Sequence, residues 1–272
     1  MHELAERIAK HPCFGAKGGY GRIHLPVAPD CNIACGYCER RIEKGSCRPG
    51  TAEKIMAPEE AMEYIEQNHT AENNLKVAGI AGPGEPLYNE NTFETLALLR
   101  DRYPHLVRCL STNGLLLSQA LPRLEELEVD SITVTLNTLR PETAEKVYAG
   151  TGQVSAEEFL ERQQDGIRRA ADMGFAVKVN MVYIPGVNSE EVREIAVFAQ
   201  KSGAAIMNVM PLIPQGRFAN TPVPDPGEIE DARVLAGCFI DQLTGCAQCS
   251  ADAVGLTPCG RLRKRGPVIL DR

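Results

Sequence analysis

A strand-then-helix alternation, repeated six times along 272 residues, restricts the fold of this chain more than any other feature. Residues 21–27 read as the first strand, running out at Pro29-Asp30. Pro58 opens a helix over residues 58–65 with acids in its first turn, where the helix dipole favours them. Residues 75–81 form a short apolar strand, followed by a helix over residues 92–102. Residues 106–110 and the β-branched run 131–136 give strands three and four, with a helix from Ser118 between them. A long helix opens on the capping box Ser155-x-x-Glu158 and stops near Gly174. Residues 175–183 are the fifth strand, and its helix starts at Asn188 with Glu191 three residues on. Residues 205–210 are the sixth strand, and a last helix spans residues 227–243. Alternation of this kind predicts an α/β fold with a parallel sheet and helices outside. Right-handed crossovers make it a doubly wound sheet or a barrel, complete or partial.

In either architecture the strand C-terminal ends carry the chemistry. Just beyond those ends lie a cysteine loop, Gly82-Pro83-Gly84-Glu85, Ser111-Thr112-Asn113-Gly114, Asn137 and Asn180, which should therefore face one another. Composition narrows the function. A hydrophobic fraction of 43% with 24% charged residues excludes wholesale disorder. No run reaches the ~18 apolar residues of a membrane helix. The first residues carry acids and no long apolar stretch, so they do not read as a signal peptide. A net charge of −7 argues against a nucleic-acid surface.

Ten cysteines are the anomaly. They fall far below the ~8–10% of a disulfide scaffold, and a chain of this length buries a core without covalent staples. Without a secretion signal a reducing cytosol is expected, where clustered thiols read as metal ligands or catalysts. The strongest cluster is Cys31-Asn32-Ile33-Ala34-Cys35-Gly36-Tyr37-Cys38, a C-x3-C-x2-C loop directly after strand one. Three thiolates on a short loop can each hold one iron of a [4Fe–4S] cube and leave the fourth iron to a small chelating molecule. The competing reading is structural zinc, which usually takes four protein ligands. Cys109 sits on an apolar strand where a buried core cysteine is the plain alternative. Asn113, Asn137 and Asn180 read equally as turn and cap residues. Cys238, on the last helix, reads as core.

The loop is the signature of the radical S-adenosylmethionine (SAM) superfamily, and the collinear match extends further. It includes His11-Pro12-Cys13, residues 22–29, Arg48-Pro49-Gly50, residues 79–87, residues 109–115, Val177-Lys178-Val179-Asn180, residues 184–188, residues 208–213, and Cys246-x-x-Cys249 with residues 251–256. Together these resemble the NifB family of nitrogenase-cofactor maturases. The resemblance implies a partial (β/α)6 TIM-like barrel in one domain over residues 1–272. Its core would span about residues 20–243, with cysteine-bearing extensions at 1–19 and 244–272 closing the barrel mouth. It implies that Cys31, Cys35 and Cys38 hold the SAM-binding [4Fe–4S] cluster. Gly84 and Glu85 would receive the methionyl amine, and Asn113, Asn137 and Asn180 the ribose or carboxylate. Two further [4Fe–4S] precursor clusters would be fused around a carbide carbon from SAM, by lyase or transferase chemistry. His24 is implied as a ligand to one precursor, with Cys13, Cys109, Cys246 and Cys249 as further ligands and Cys47 as a contested one.

The match departs from the family at one ligand. Lys44 stands where the family has a cysteine, so either Cys47 supplies that ligand from a shifted position or one precursor site is altered. Cys259, in a basic tail, has no assigned role. The resemblance further implies an iron–sulfur cluster donor, a low-potential electron donor, a downstream scaffold or carrier protein, and a cytoplasmic location. Two other readings remain: a diverged relative with auxiliary clusters acting on another substrate, and a non-catalytic iron–sulfur or zinc scaffold or electron carrier.

Overall fold

In the computed structural model, which describes residues 2–16 and 19–256, six strands lie parallel and in chain order. They are β1 (Gly21–His24), β2 (Leu75–Ile80), β3 (Val107–Thr112), β4 (Ser131–Thr135), β5 (Ala176–Tyr183) and β6 (Ile206–Pro211). Each pairs in parallel with the next in sequence, which curls the sheet into a partial (β/α)6 barrel. Strands of a sheet covered on both faces must be apolar throughout. This is why Ile23, Val77, Ile80, Ile132, Val134, Val179 and Val209 are all buried.

Six helices cover the outer face: α1 (Pro58–Asn68), α2 (Glu90–Arg102), α3 (Leu117–Glu126), α4 (Ala156–Asp172), α5 (Val192–Lys201) and α6 (Pro226–Gly237). α4 starts where its capping box predicts, with Ser155 Oγ accepting from the Glu158 N–H at 3.1 Å. Its apolar stripe, including Phe159, Leu160, Ile167 and Ala170, is buried. α6 is capped by Asp225 and Glu228, each side chain accepting from the other's end of the turn.

The main core lies between sheet and helices. A second, smaller core of Ile33, Val147, Tyr148, Phe159, Leu212 and Phe218 sits above the strand ends, and Cys31, Cys35 and Tyr37 pack against it. It gives the cysteine loop a rigid floor.

Both flanking segments of the described chain return to the barrel. The N-terminal helix His2–Ile8 is tied down by Arg7, whose guanidinium holds both Asp130 oxygens at 2.7 and 2.8 Å. At the other end β7 (Val254–Gly255) adds antiparallel to β1, and the His24 N–H donates to the Ala253 carbonyl at 2.8 Å. Residues 246–253 are thereby laid beside the first strand.

Four local expectations are corrected. β1 is regular only to His24 because Pro26 has no N–H to donate, although pairing resumes where Ala28 meets Pro83. The last helix stops at Gly237, and along the edge of β6 the Met207 N–H then donates to the Asp241 carbonyl while the Met207 carbonyl accepts from the Leu243 N–H. Asn188 stands at the N-cap position of a 3-10 turn, Ser189–Glu191, that runs into α5, but its side chain makes no cap bond. Its amide accepts from the Ile184 N–H and donates to the Asn137 and Val182 carbonyls, while Glu191 accepts from the Thr138 hydroxyl. Cys238 is exposed rather than core, because it follows the last turn of α6 on the side away from the sheet. A short helix at Pro141–Val147 and two two-stranded ladders, Ala34–Cys35 with Tyr148–Gly150 and Arg41–Ile42 with Thr51–Ala52, have no counterpart in the sequence reading.

Candidate active site

The cysteine loop leaves β1 beside the end of β2, and glycine makes the approach possible. A Cβ on Gly84 would lie 2.1 Å from the Asp30 carbonyl oxygen, so only glycine fits there. The Gly84 N–H donates to Ala28 at 2.7 Å and the Glu85 N–H to Asp30 at 2.8 Å, fastening the two segments together. On the far side of the loop Gly36 meets the segment 215–218. The Arg217 N–H donates to the Gly36 carbonyl at 2.8 Å, and the Gln215 amide to the Tyr37 carbonyl at 2.7 Å.

Cys31, Cys35 and Cys38 all face one cavity above the strand ends, as does Glu85. The Glu85 carboxylate accepts from the Thr112 hydroxyl at 2.5 Å, the Asn113 N–H at 2.7 Å and the Leu87 N–H at 3.1 Å. Burial outweighs these donors and lifts its pKa to about 7. Burial likewise raises the pKa of all three loop thiols, Cys35 most. Tyr37 stands beside the loop thiols, its hydroxyl accepting from the Asn137 amide at 2.8 Å.

The same cavity is lined by Cys13, His24, Cys109, Cys246 and Cys249, drawn from both ends of the chain and from β1 and β3. Gly79 opens the space between two of them: a Cβ there would lie 2.6 Å from Cys109 Sγ and 3.5 Å from His24 Cδ2. His24 Nδ1 lies 3.0 Å from the Ser250 carbonyl, an acceptor only, so that nitrogen carries the proton and Nε2 keeps its lone pair. Burial lowers the His24 pKa to about 4, keeping the ring neutral as a metal ligand requires. Burial raises Cys109 to about 12, and raises Cys249 to about 11 against the pull of Arg22. The Arg22 guanidinium lies 3.2 Å from Cys249 Sγ and donates to the Gly255 carbonyl at 3.0 Å.

Thus two thiol groups share one chamber, Cys31, Cys35 and Cys38 on one side and Cys13, Cys109, Cys246 and Cys249 with His24 on the other. Among the described residues no three His, Cys, Asp or Glu side chains converge where a single metal ion would sit. A cubic cluster asks for no such convergence, since each thiolate takes a different iron. The three half-buried loop thiols fit that demand.

Of the three asparagines, Asn113 and Asn180 line the cavity, the first also donating to Asn32 Oδ1 at 2.8 Å and the second accepting from Asn208 at 3.1 Å. Asn137 stands behind the wall, its amide donating to the Tyr37 and Tyr148 hydroxyls and accepting from the Val182 N–H. Cys47 does not line the cavity, although Pro49 and Gly50 do. Cys259 lies outside the described residues. The sequence reading gives no site role to His11, Arg22, Tyr37 and Lys178. A charged residue inside an apolar strand, as in Gly21-Arg22-Ile23 and Val177-Lys178-Val179, was the available signal for two of them.

A family model described as the Radical SAM superfamily matches residues 25–199. The FeMo cofactor biosynthesis protein NifB of Methanocaldococcus infernus is 41% identical over 268 residues, covering 94% of this chain and 88% of that protein. The protein of the same name from Methanocaldococcus jannaschii is 40% identical, covering 94% and 89%. That of Klebsiella pneumoniae is also 40% identical, but this chain spans 58% of its length. Among solved structures, methylornithine synthase (PylB) superposes with a TM-score of 0.56 at 15% identity, over 93% of this chain and 81% of that one. Native anSMEcpe with bound AdoMet and Cp18Cys peptide gives 0.56 at 15% identity, over 90% and 75%. These two likenesses concern the fold.

Proposed function

Because the chain belongs to the radical SAM superfamily and, within it, to the NifB family, we propose that it builds the nitrogenase cofactor precursor, fusing two [4Fe–4S] clusters around a carbon taken from SAM. One observation carries this reading: seven cysteines, His24 and Glu85, scattered from residue 13 to residue 249, line one cavity. An assembly reaction needs its SAM site and its substrate clusters in one chamber.

Cys31, Cys35 and Cys38 would hold the resident cluster. When bound, that cluster supplies the electron that breaks the sulfonium C–S bond of SAM and releases a 5′-deoxyadenosyl radical. Glu85, its carboxylate fixed by Thr112, Asn113 and Leu87, receives the methionyl ammonium in a charge-matched hydrogen bond. Gly84 sets the distance between that carboxylate and the cysteine loop. Asn113 and Asn180 offer polar groups to the ribose or carboxylate, and Asn137 acts from behind by orienting Tyr37. The apolar cavity wall keeps water from the radical. Cys13, Cys109, Cys246, Cys249 and the free Nε2 of His24 receive the substrate clusters. Cys47 is disulfide-bonded and misses the cavity, so it would replace the missing family cysteine only once reduced, and Cys47→Ala should then lose iron.

In this reading the chain is one unit, because segments from both flanks of the barrel, at Cys13 and at Cys246 and Cys249, line the cavity. Its partners are an iron–sulfur cluster donor, a low-potential electron donor and a downstream carrier, and it works in the cytoplasm. No helix among the described residues is long and apolar enough to cross a membrane.

Anaerobic reconstitution tests the proposal. Three cubes require about twelve irons per chain, and reduced protein with SAM should release 5′-deoxyadenosine and S-adenosylhomocysteine together. Cys31→Ala should abolish both products. Deoxyadenosine without the homocysteine product would refute carbon insertion, and neither product from fully loaded protein would refute the enzyme reading.

A further inference from the structure

Lys178 is a buried cation with no anion. It lies on β5, in register with Thr133 of β4 and Ile206 of β6, is 5% exposed, and lines the cavity. Among the described residues no carboxylate or carbonyl accepts from its Nζ, and the neighbour in contact is the Phe14 ring, whose centroid is 5.6 Å away. An ammonium taken from water without a counter-charge is costly, and one aromatic face offsets only part of that cost. Its field falls on Cys109, His11 and His24, so it belongs to the second thiol group and not to the SAM side. Arg22, the other cation there, is already committed to Gly255 and Cys249.

His11 adds a second free donor. It is 2% exposed and lines the same cavity. Its Nδ1 accepts from the Cys13 N–H at 3.1 Å, so the neutral ring carries its proton on Nε2. Two histidines in one chamber thus hold opposite tautomers. His24 presents a lone pair and can ligate iron; His11 presents an N–H and can only donate.

We propose that Lys178 and His11 are substrate-binding donors for the negative charge of the iron–sulfur clusters seated on the Cys13, Cys109, Cys246, Cys249 and His24 side, and that Lys178 raises the reduction potential of the cluster beside it. The inference rests on the reading that this side receives substrate clusters. A thiolate-ligated cluster is anionic and becomes more so on reduction, so a nearby cation favours the reduced form, and hydrogen bonds to its sulfurs act in the same direction. With the cluster in place, the ammonium gains the anion that the protein does not supply.

The test compares wild type with K178M, K178R and H11F after anaerobic reconstitution. Each cluster is followed by electron paramagnetic resonance through a redox titration, and iron loss to a chelator is timed. In K178M the second-group cluster should titrate at lower potential and lose iron about tenfold faster, as expected for losing a hydrogen bond to a charged group. K178R should stay close to wild type, and H11F should shift both readouts in the same direction by less. Metal-free K178M should melt at or above wild type, because it removes an uncompensated buried charge; a clear drop would mean a structural partner and overturn the inference. Unchanged potential and iron loss in K178M would overturn it as well. A wild type holding only the cluster on Cys31, Cys35 and Cys38 would instead sink the reading of the site itself.

Discussion

Replacing Gly84 by alanine should damage both stability and SAM chemistry, and the structure sets the size of each effect. The added Cβ would sit 2.1 Å from the Asp30 carbonyl oxygen, 2.6 Å from its carbon and 2.8 Å from the Pro29 oxygen. Ordinary contact begins at 3.4 Å, so the end of β2 and the cysteine loop must separate by at least 1.3 Å, the difference between 3.4 and 2.1. No flexible side chain can absorb this, since every clashing atom is backbone. Separation breaks the bonds from Gly84 to Ala28 and from Glu85 to Asp30. Two backbone hydrogen bonds at about 1 kcal/mol each, with 1–3 kcal/mol of overpacking strain, give a loss of about 3–5 kcal/mol. For a chain of this size that lowers Tm by about 6–20 °C. The loosened contact also moves Glu85 from Cys31, and a misplacement of about 1 Å costs on the order of 100-fold in rate. Thermal melts followed by circular dichroism read the first effect, and single-turnover 5′-deoxyadenosine release reads the second. Gly186→Ala is the control: its φ of 71° carries left-handed strain, but nothing lies within 4 Å of a Cβ there, so a loss of only about 1–2 kcal/mol is expected. Gly84→Ala melting no lower than Gly186→Ala and cleaving SAM at the wild-type rate would refute the reasoning.

Glu85 titrates near 7 in the folded protein because it is buried, against an ordinary value of 4.5. The native state therefore binds the extra proton, so stability of the metal-free protein should fall as pH rises from 4.5 to 7, by about 3 kcal/mol in all. Urea unfolding at pH 5 and pH 8 should show this loss in wild type and not in Glu85→Gln. SAM, whose ammonium needs the ionised carboxylate, should bind about tenfold more weakly per pH unit below 7, measured by calorimetry, and Glu85→Gln should bind weakly at every pH. Gly79→Ala puts a Cβ 2.6 Å from Cys109 Sγ, so its iron content should drop in the second thiol group while the spectrum of the cluster on Cys31, Cys35 and Cys38 persists. Tyr37→Phe strips Asn137 of its 2.8 Å acceptor, leaving only Tyr148 at 3.2 Å. It should cost about 1–2 kcal/mol in chemical denaturation.

The six parallel strands were legible because a doubly covered strand and an amphipathic helix write different periods into a sequence. Capping chemistry located the start of α4 at Ser155 for the same local reason. Elements held by tertiary contacts were not legible. β7 is two residues long and exists because β1 offers it an open edge. The N-terminal helix is placed by Arg7 reaching Asp130, a partner 123 residues away. Asn188 carried a capping signal that a buried network overrode, since its amide meets three backbone groups of the strand ends first. In the site, strand-end residues such as Cys31, Glu85 and Asn113 were readable from topology alone. That Asn137 stands behind the wall, and that Cys47 misses the cavity while Cys13 and Cys249 reach it, depends on loop paths that no local pattern encodes.

The charges in the chamber are divided in a way that orients its contents. Glu85 and Arg40 both bear on Cys31, whereas Arg22 and Lys178 bear on Cys109, and Arg22 touches Cys249. In the proposed reading the loop side thus offers an anion and a cation to a ligand that carries both an ammonium and a carboxylate, and the far side offers two cations to an anionic cluster. Placed on the far side, the ammonium would meet two cations and, among the described residues, no lining carboxylate, and like charges in a buried setting are strongly unfavourable. Burial raises Cys35, Cys109 and Cys249 alike, so without iron these thiols stay protonated and add no charge of their own. Iron must displace those protons on entry. The fixed charges of Glu85, Arg40, Arg22 and Lys178 therefore make the two sides distinct before iron enters.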